Sequence, residues 1–145
     1  MNLVDTNVWL ALTMSGHEHH RTSNDWLELV ETPGAVRFCR ETQRSLLRLL
    51  TTTSVVAPYR DTALTNQQAW GVYQEFAADD RIGPPLSEPA GLEDVWKRFS
   101  QRSSASPKLW MDSYLAAFAV AGGMTFVTLD GAFRQFEDLD LIVIE

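Results

Sequence analysis

Three aspartates sit at positions where an acid does chemistry more readily than it packs. Met1-Asn2-Leu3-Val4 is a short apolar run that stops at Asp5, and Thr6-Asn7 then lead into a second apolar segment. Thr125 to Leu129 is a second strand-like run, and it stops at Asp130 with Gly131 following. In open α/β sheets ligands bind outside the carboxyl ends of parallel strands, so two strands that each end in Asp can deliver both carboxylates to one edge. Asp112 adds a third acid near the start of an otherwise apolar helix, where the helix dipole favours negative charge. Converging carboxylates without Cys or neighbouring His are hard oxygen donors suited to Mg²⁺ or Mn²⁺. Their natural task is the attack of water on a phosphodiester. Spacing alone leaves a second role open, because an Asp before a helix is also an ordinary N-cap.

The elements that must position these acids follow from periodicity. A helix is expected after Asp5, and another from Asp25 to Val30, stopped by Thr32-Pro33-Gly34. Ala35 to Cys39 reads as a strand. Arg40 to Leu50 carries Leu46, Leu47, Leu49 and Leu50 at helical spacing. Thr51 to Thr65 is expected to be loop. A helix then follows, capped by Asn66, with Ala69, Trp70, Tyr73 and Phe76 on one stripe. Arg81 to Gly91 holds three prolines and reads as loop. Leu92, Val95, Trp96 and Phe99 mark a further helix, and Ser100 to Pro107 a serine-rich loop. Trp110 to Gly122 is apolar enough to be a buried helix, and Leu141 to Ile144 is a last strand. Strands alternating with helices predict an α/β fold with a mainly parallel sheet covered on both faces, a three-layer α/β/α arrangement.

Composition narrows the function classes. A chain of 145 residues suits a single domain over 1–145 with a real core. A net charge of −7 argues against a binder held to nucleic acid by bulk electrostatics, though not against an enzyme that meets it through cations and a local basic patch. Cys39 is the only cysteine, which leaves no disulfide and no cysteine metal site. Asp5 interrupts the first apolar run, so no signal peptide is expected. The longest apolar segment, Tyr114 to Met124, is too short to cross a bilayer. A cytosolic protein with no membrane association is expected.

Four stretches then carry a specific resemblance: Leu3-Val4-Asp5-Thr6-Asn7-Val8-Trp9-Leu10-Ala11-Leu12, Thr42 to Leu49, Leu109-Trp110-Met111-Asp112-Ser113-Tyr114-Leu115-Ala116-Ala117, and Phe126-Val127-Thr128-Leu129-Asp130-Gly131-Ala132-Phe133. In this order, over essentially the whole chain, they resemble the PIN domain and most closely its VapC-type toxin branch. The resemblance implies an Mg²⁺-dependent endoribonuclease cutting structured RNA such as tRNA or rRNA. It implies the toxic half of a bacterial or archaeal toxin–antitoxin pair, cytoplasmic, usually a homodimer and held inactive by its cognate antitoxin. The family's acids fall on Asp5, Asp112 and Asp130 as metal ligands, with Thr6 or Asn7 helping to position the first.

The second stretch departs from the family pattern. PIN domains carry a glutamate near the start of the helix after the second strand, and Gln43 stands in the aligned position. Glu41 lies two residues earlier, about 200° away around a helix. If the helix begins after Glu41, its carboxylate reaches the site from the turn. Glu41 is therefore expected as the fourth catalytic acid, with Gln43 as a neutral supporting ligand.

Other residues have more ordinary readings. Arg40, Arg44 and Arg48 share a helix face and are either solvated or contacts for RNA phosphate or antitoxin. His17, His19 and His20 read as incidental loop histidines. Trp9, Trp70, Trp96 and Trp110 read as core or dimer packing, and Cys39 as a buried strand residue. A haloacid-dehalogenase-type phosphatase would need a second acid where Asn7 stands. A phosphoacceptor receiver would need paired acids after the first strand. A catalytically weak or inactive PIN-like RNA-binding or assembly module is the remaining alternative, and metal titration separates it from the nuclease.

Overall fold

The computed structural model describes residues 1–145. The chain runs β1 (Asn2–Val4), α1 (Thr6–Thr13), α2 (His20–Glu28), β2 (Val36–Arg37), α3 (Arg40–Leu50), α4 (Thr53–Val56) and α5 (Asn66–Ala77). It continues through α6 (Leu92–Ser100), α7 (Leu109–Ala121), β3 (Thr125–Thr128), a 3-10 helix at Gly131–Gln135, and β4 (Leu141–Val143). The four strands lie in the order β2-β1-β3-β4, and every pair is parallel. Between successive sheet strands the chain must therefore return across the sheet, which the intervening helices accomplish. β1 is interior, with Leu3 opposite Phe126 on one side and Arg37 on the other.

Alternation along β1 separates two cores, because successive side chains of a strand point to opposite faces. Val4 faces a cluster built with Val8, Trp9, Phe38, Leu46 and Leu50 from the side of α1, α3 and α5. Leu3 faces a second cluster with Leu115, Ala116, Phe118 and Phe126 from the side of α6 and α7. Trp9 anchors the first: its ring stacks on Phe38 at 3.7 Å between centroids, and its indole N–H donates to the Val4 carbonyl at 3.0 Å. The expected three-layer α/β/α arrangement is the one observed.

Several boundaries differ from expectation. α2 begins at His20 rather than Asp25 and ends before Leu29, which stays 80% exposed. Its buried stripe is only Ser23 and Leu27, one turn apart, too thin an apolar signal to read from sequence. Thr32 to Ala35 closes as a turn, with Ala35 N–H donating to the Thr32 carbonyl and Gly34 at φ +69, a left-handed geometry that suits glycine. β2 is only two residues long. Cys39 is buried but is the N-cap of α3, where its backbone N–H donates to the Thr42 hydroxyl at 3.0 Å. The segment expected as loop after Thr51 contains the single turn α4, which buries Val56. Thr65, not Asn66, caps α5, in a reciprocal pair of hydrogen bonds with Gln68. No helix is long and apolar enough to cross a membrane.

Candidate functional site

Asp5 is the residue after β1 and the N-cap of α1, so both roles left open by its spacing bear on one side chain. Its Oδ1 accepts from the Thr6 backbone N–H at 2.7 Å. Its Oδ2 accepts from the Thr128 hydroxyl at 2.7 Å. Thr128 is the last residue of β3, fully buried, and it is the centre of a small network. The same hydroxyl oxygen accepts from the Asn7 side-chain amide at 3.2 Å and from the Asp130 backbone N–H at 3.0 Å. Asn7 Oδ1 in turn accepts from the Leu129 N–H at 3.1 Å. Residues 5 to 7 are thereby stitched to residues 128 to 130 across two adjacent parallel strand ends. Thr6 contributes through its backbone, and Asn7 through its side chain.

Asp130 caps the 3-10 helix, accepting from Ala132 N–H at 2.8 Å through Oδ1. Asp112 lies in the first turn of α7, half-buried, and no hydrogen bond holds its carboxylate. The three charges feel one another. Burial pushes the Asp5 carboxyl up to about 6, the charges of Asp112 and Asp130 push in the same direction, and the bonds from Thr128 and Thr6 oppose them. Burial and then the Asp130 charge raise Asp112, while Lys108 at the N-cap of α7 pulls it down. This is an acidic crevice at the carboxyl edge of the sheet, with Lys108 acting against its charge.

The donor chemistry fits a hard divalent ion, since Asp5, Asp112 and Asp130 offer carboxylate oxygens. The carboxylates are not drawn into a closed set: no three His, Cys, Asp or Glu side chains stand in metal-holding geometry.

Glu41 is not brought to the aspartates. α3 begins at Arg40, so Glu41 is already helical, and its carboxylate points toward Arg44, 3.4 Å away. It lines a cleft of about 380 Å³ with Leu86, Glu88 and Tyr114. There the Tyr114 hydroxyl donates to Glu88 at 2.8 Å, and burial with the two glutamates raises the phenol above its usual range. Gln43 takes the opposite, inward face and is buried, accepting a hydrogen bond from the Arg40 guanidinium. The expectation that Glu41 enters the crevice from a turn thus meets a helix that starts two residues too early.

The remaining candidates fall as follows. Arg40, Arg44 and Arg48 are all exposed along one side of α3. His17 stacks on Tyr59, while His20 opens α2 with Nδ1 2.7 Å from the Ala11 carbonyl. Trp9 is core, Trp96 donates its indole N–H to the Trp110 carbonyl at 3.1 Å, and Trp70 and Trp110 are 48% and 59% exposed. Thr128 and Lys108 were not anticipated. The one signal for Thr128 in the sequence is its position two residues before Asp130, on a strand whose end meets Asp5.

A parallel-sheet α/β/α domain with an acidic crevice across its β1 and β3 ends defines a class of protein. The family model described as "PIN domain" matches residues 3–139. Ribonuclease VapC41 of Mycobacterium tuberculosis, in two strains, is 52% identical over 141 residues, covering 97% of each chain. The chain belongs to the PIN-domain family, in its VapC ribonuclease branch. Among solved structures, VapBC2 from Rickettsia felis, bound to a DNA fragment from its promoter, superposes with a TM-score of 0.69 at 15% identity, over 99% of this chain and 98% of that one. The sarcin–ricin loop-cleaving toxin VapC20 of Mycobacterium tuberculosis superposes with a TM-score of 0.62 at 18% identity, over 97% and 98%. These two show a shared fold.

Proposed function

We propose that the chain is a metal-dependent endoribonuclease that cuts structured RNA, tRNA or rRNA, as the toxin of a toxin–antitoxin pair. The observation that carries this reading is the meeting of acids at one sheet edge, where burial first and then neighbouring charge raise both Asp5 and Asp112. Such a site holds charge that a divalent cation would neutralise. Asp5, Asp112 and Asp130 would hold the ion, Mg²⁺ or Mn²⁺. When bound, the ion supplies charge stabilisation for the phosphodiester and a lowered pKa for water.

The chain's own groups divide the remaining work. Thr128 and the Thr6 N–H fix both oxygens of Asp5, which orients its remaining lone pairs into the crevice. Asn7 locks Thr128 in place and ties Leu129, and so the backbone leading to Asp130, to α1. Asp112, free of hydrogen bonds, is the acid able to adjust. Glu41 lines a cleft of its own, so Gln43 is the residue of the second stretch proposed to support the site. Membership of the VapC branch supports a cognate antitoxin as partner, a homodimer as the working form, a single domain over 1–145, and the cytoplasm as location.

A catalytically weak or inactive RNA-binding or assembly module is the second reading, favoured by Gln43 standing where the family pattern has a glutamate. One assay decides. Purified protein freed of partner should cut structured RNA with Mg²⁺ or Mn²⁺, stop with a chelator, and lose at least about 100-fold with Asp112→Asn. Cleavage undiminished in chelator would overturn the metal-dependent reading. No cleavage with either ion would favour the binding module.

A further inference from the structure

The arginine side of α3 borders two openings that we read as one groove: the Glu41–Glu88 cleft, which Arg40 and Arg44 line, and a cavity against α5, which Arg48 and Trp70 line. Arg40, Arg44 and Arg48 rise along α3 at intervals of about 6 Å. The chain carries 12 basic against 19 acidic residues, so three arginines in a row on one face are a local exception. Arg44 is 70% exposed and meets only Glu41, and Arg48 has no acidic partner. On α5, burial raises the Tyr73 phenol and the Arg40 charge pulls it back down. Further along, Arg48 and Trp70 line a cavity of about 280 Å³ with Leu47, Thr51 and Ala69. Trp70 leaves half its surface open and stands edge-on to Tyr73, 6.0 Å between centroids. The Arg40 end of the groove lies at the start of α3, directly after β2, and so at the same sheet edge as Asp5.

We propose that this groove is the track for single-stranded RNA leading away from the crevice, with the arginines on successive phosphates and Trp70 as a base-stacking platform. The inference rests on the ribonuclease reading for the crevice. An acidic peptide would satisfy the arginines and its apolar side chains could cover the indole, so the choice rests on the regular spacing of the arginines beside an open aromatic face. Single-stranded nucleic acid offers anions at a regular interval together with flat π faces. Guanidinium groups suit both, pairing with phosphate oxygens and stacking on rings.

The test is anisotropy of a labelled single-stranded RNA of about 12 nucleotides, in the Asp112→Asn background with Mg²⁺ so that the probe stays whole. Arg44→Gln with Arg48→Gln should weaken binding and flatten the salt dependence of log K by about 1.4, about 0.7 for each phosphate no longer neutralised. Trp70→Leu should weaken binding roughly 5- to 100-fold without changing the slope, and Trp70→Phe should keep most of the affinity. RNA affinity unchanged in all these variants overturns the proposal. So does undetectable RNA binding, or a loss confined to the antitoxin, which would give the groove to the partner. Cleavage assays of the same groove variants with Asp112 intact separate the two readings. Groove-dependent binding by a protein that never cuts keeps the track and removes the ribonuclease. Cutting with groove variants equal to the parent removes the track alone.

Discussion

Asp5→Asn should make the metal-free protein more stable while removing the centre of its crevice. The Asp5 carboxyl is pushed up to about 6 from an ordinary 3.8. An acid whose folded pKa is raised binds its proton more tightly when folded, so ionising it costs folded-state stability. That cost is absent below 3.8, grows as pH rises between 3.8 and about 6, and is complete above. At neutral pH the difference is worth about 3 kcal/mol. Asn keeps the acceptor for Thr6 N–H but presents an amide to the Thr128 hydroxyl, a mismatch costing about 1 kcal/mol. The net gain is about 2 kcal/mol, which for a chain of this size is a rise in Tm of about 4 to 8 °C. Calorimetric melts in chelator at pH 7.5 and pH 5 would measure it. At pH 5 the electrostatic part falls to about half, and the net gain to about 0.5 kcal/mol. Adding Mg²⁺ should raise the Tm of the parent more than that of the variant, narrowing the gap. A variant less stable than the parent at both pH values, with a pH-independent difference, would refute the electrostatic account of Asp5.

Two further perturbations probe the surroundings. Thr128→Val keeps shape but leaves the Asn7 amide, the Asp130 N–H and Asp5 Oδ2 each without a partner, so urea titration should show a loss of about 2 to 4 kcal/mol. The pH dependence of the melt should also move upward, because the bond that lowers Asp5 is gone. In the second stretch, Glu41→Gln should leave cleavage within about 3-fold of the parent, since its pair with Arg44 is exposed and weak. Gln43→Ala, cutting a buried side chain, should cost about 1 to 3 kcal/mol and lower activity. Initial rates at limiting and saturating Mg²⁺ compare the two, and the reverse ranking would return the role to Glu41.

The strand ends at Asp5 and Asp130 were legible because an apolar run stopping at an acid is abrupt, and parallel strands can only place such ends together. Asp112 was legible because an acid opening an apolar helix is out of pattern. Thr128 was not, since a threonine in a strand is an ordinary β-former and only the partner 123 residues away reveals its use. The Glu41–Gln43 choice turned on two residues of helix start: with Arg40 at the first helical position, Glu41 is already helical and Gln43 is the buried one. Trp70 illustrates the limit of stripes: Ala69, Tyr73 and Phe76 pack inward on α5, but Trp70 sits about 100° from Ala69 and faces out.

The bond between Thr128 and Asp5 spans nearly the whole chain, and that has a kinetic consequence during synthesis. In a nascent polypeptide Asp5 is made 123 residues before Thr128, and β2 can join β1 early. The central partner β3, and with it Thr128 and Asp130, leaves the ribosome only after some 120 further residues. At about 5 to 20 residues per second, that interval lasts roughly 6 to 25 s. Until it ends, Asp5 has neither its clamp nor the neighbouring charge of Asp130. The crevice is therefore assembled late and at once, and truncated chains that stop before Thr125 carry the first acid without a site.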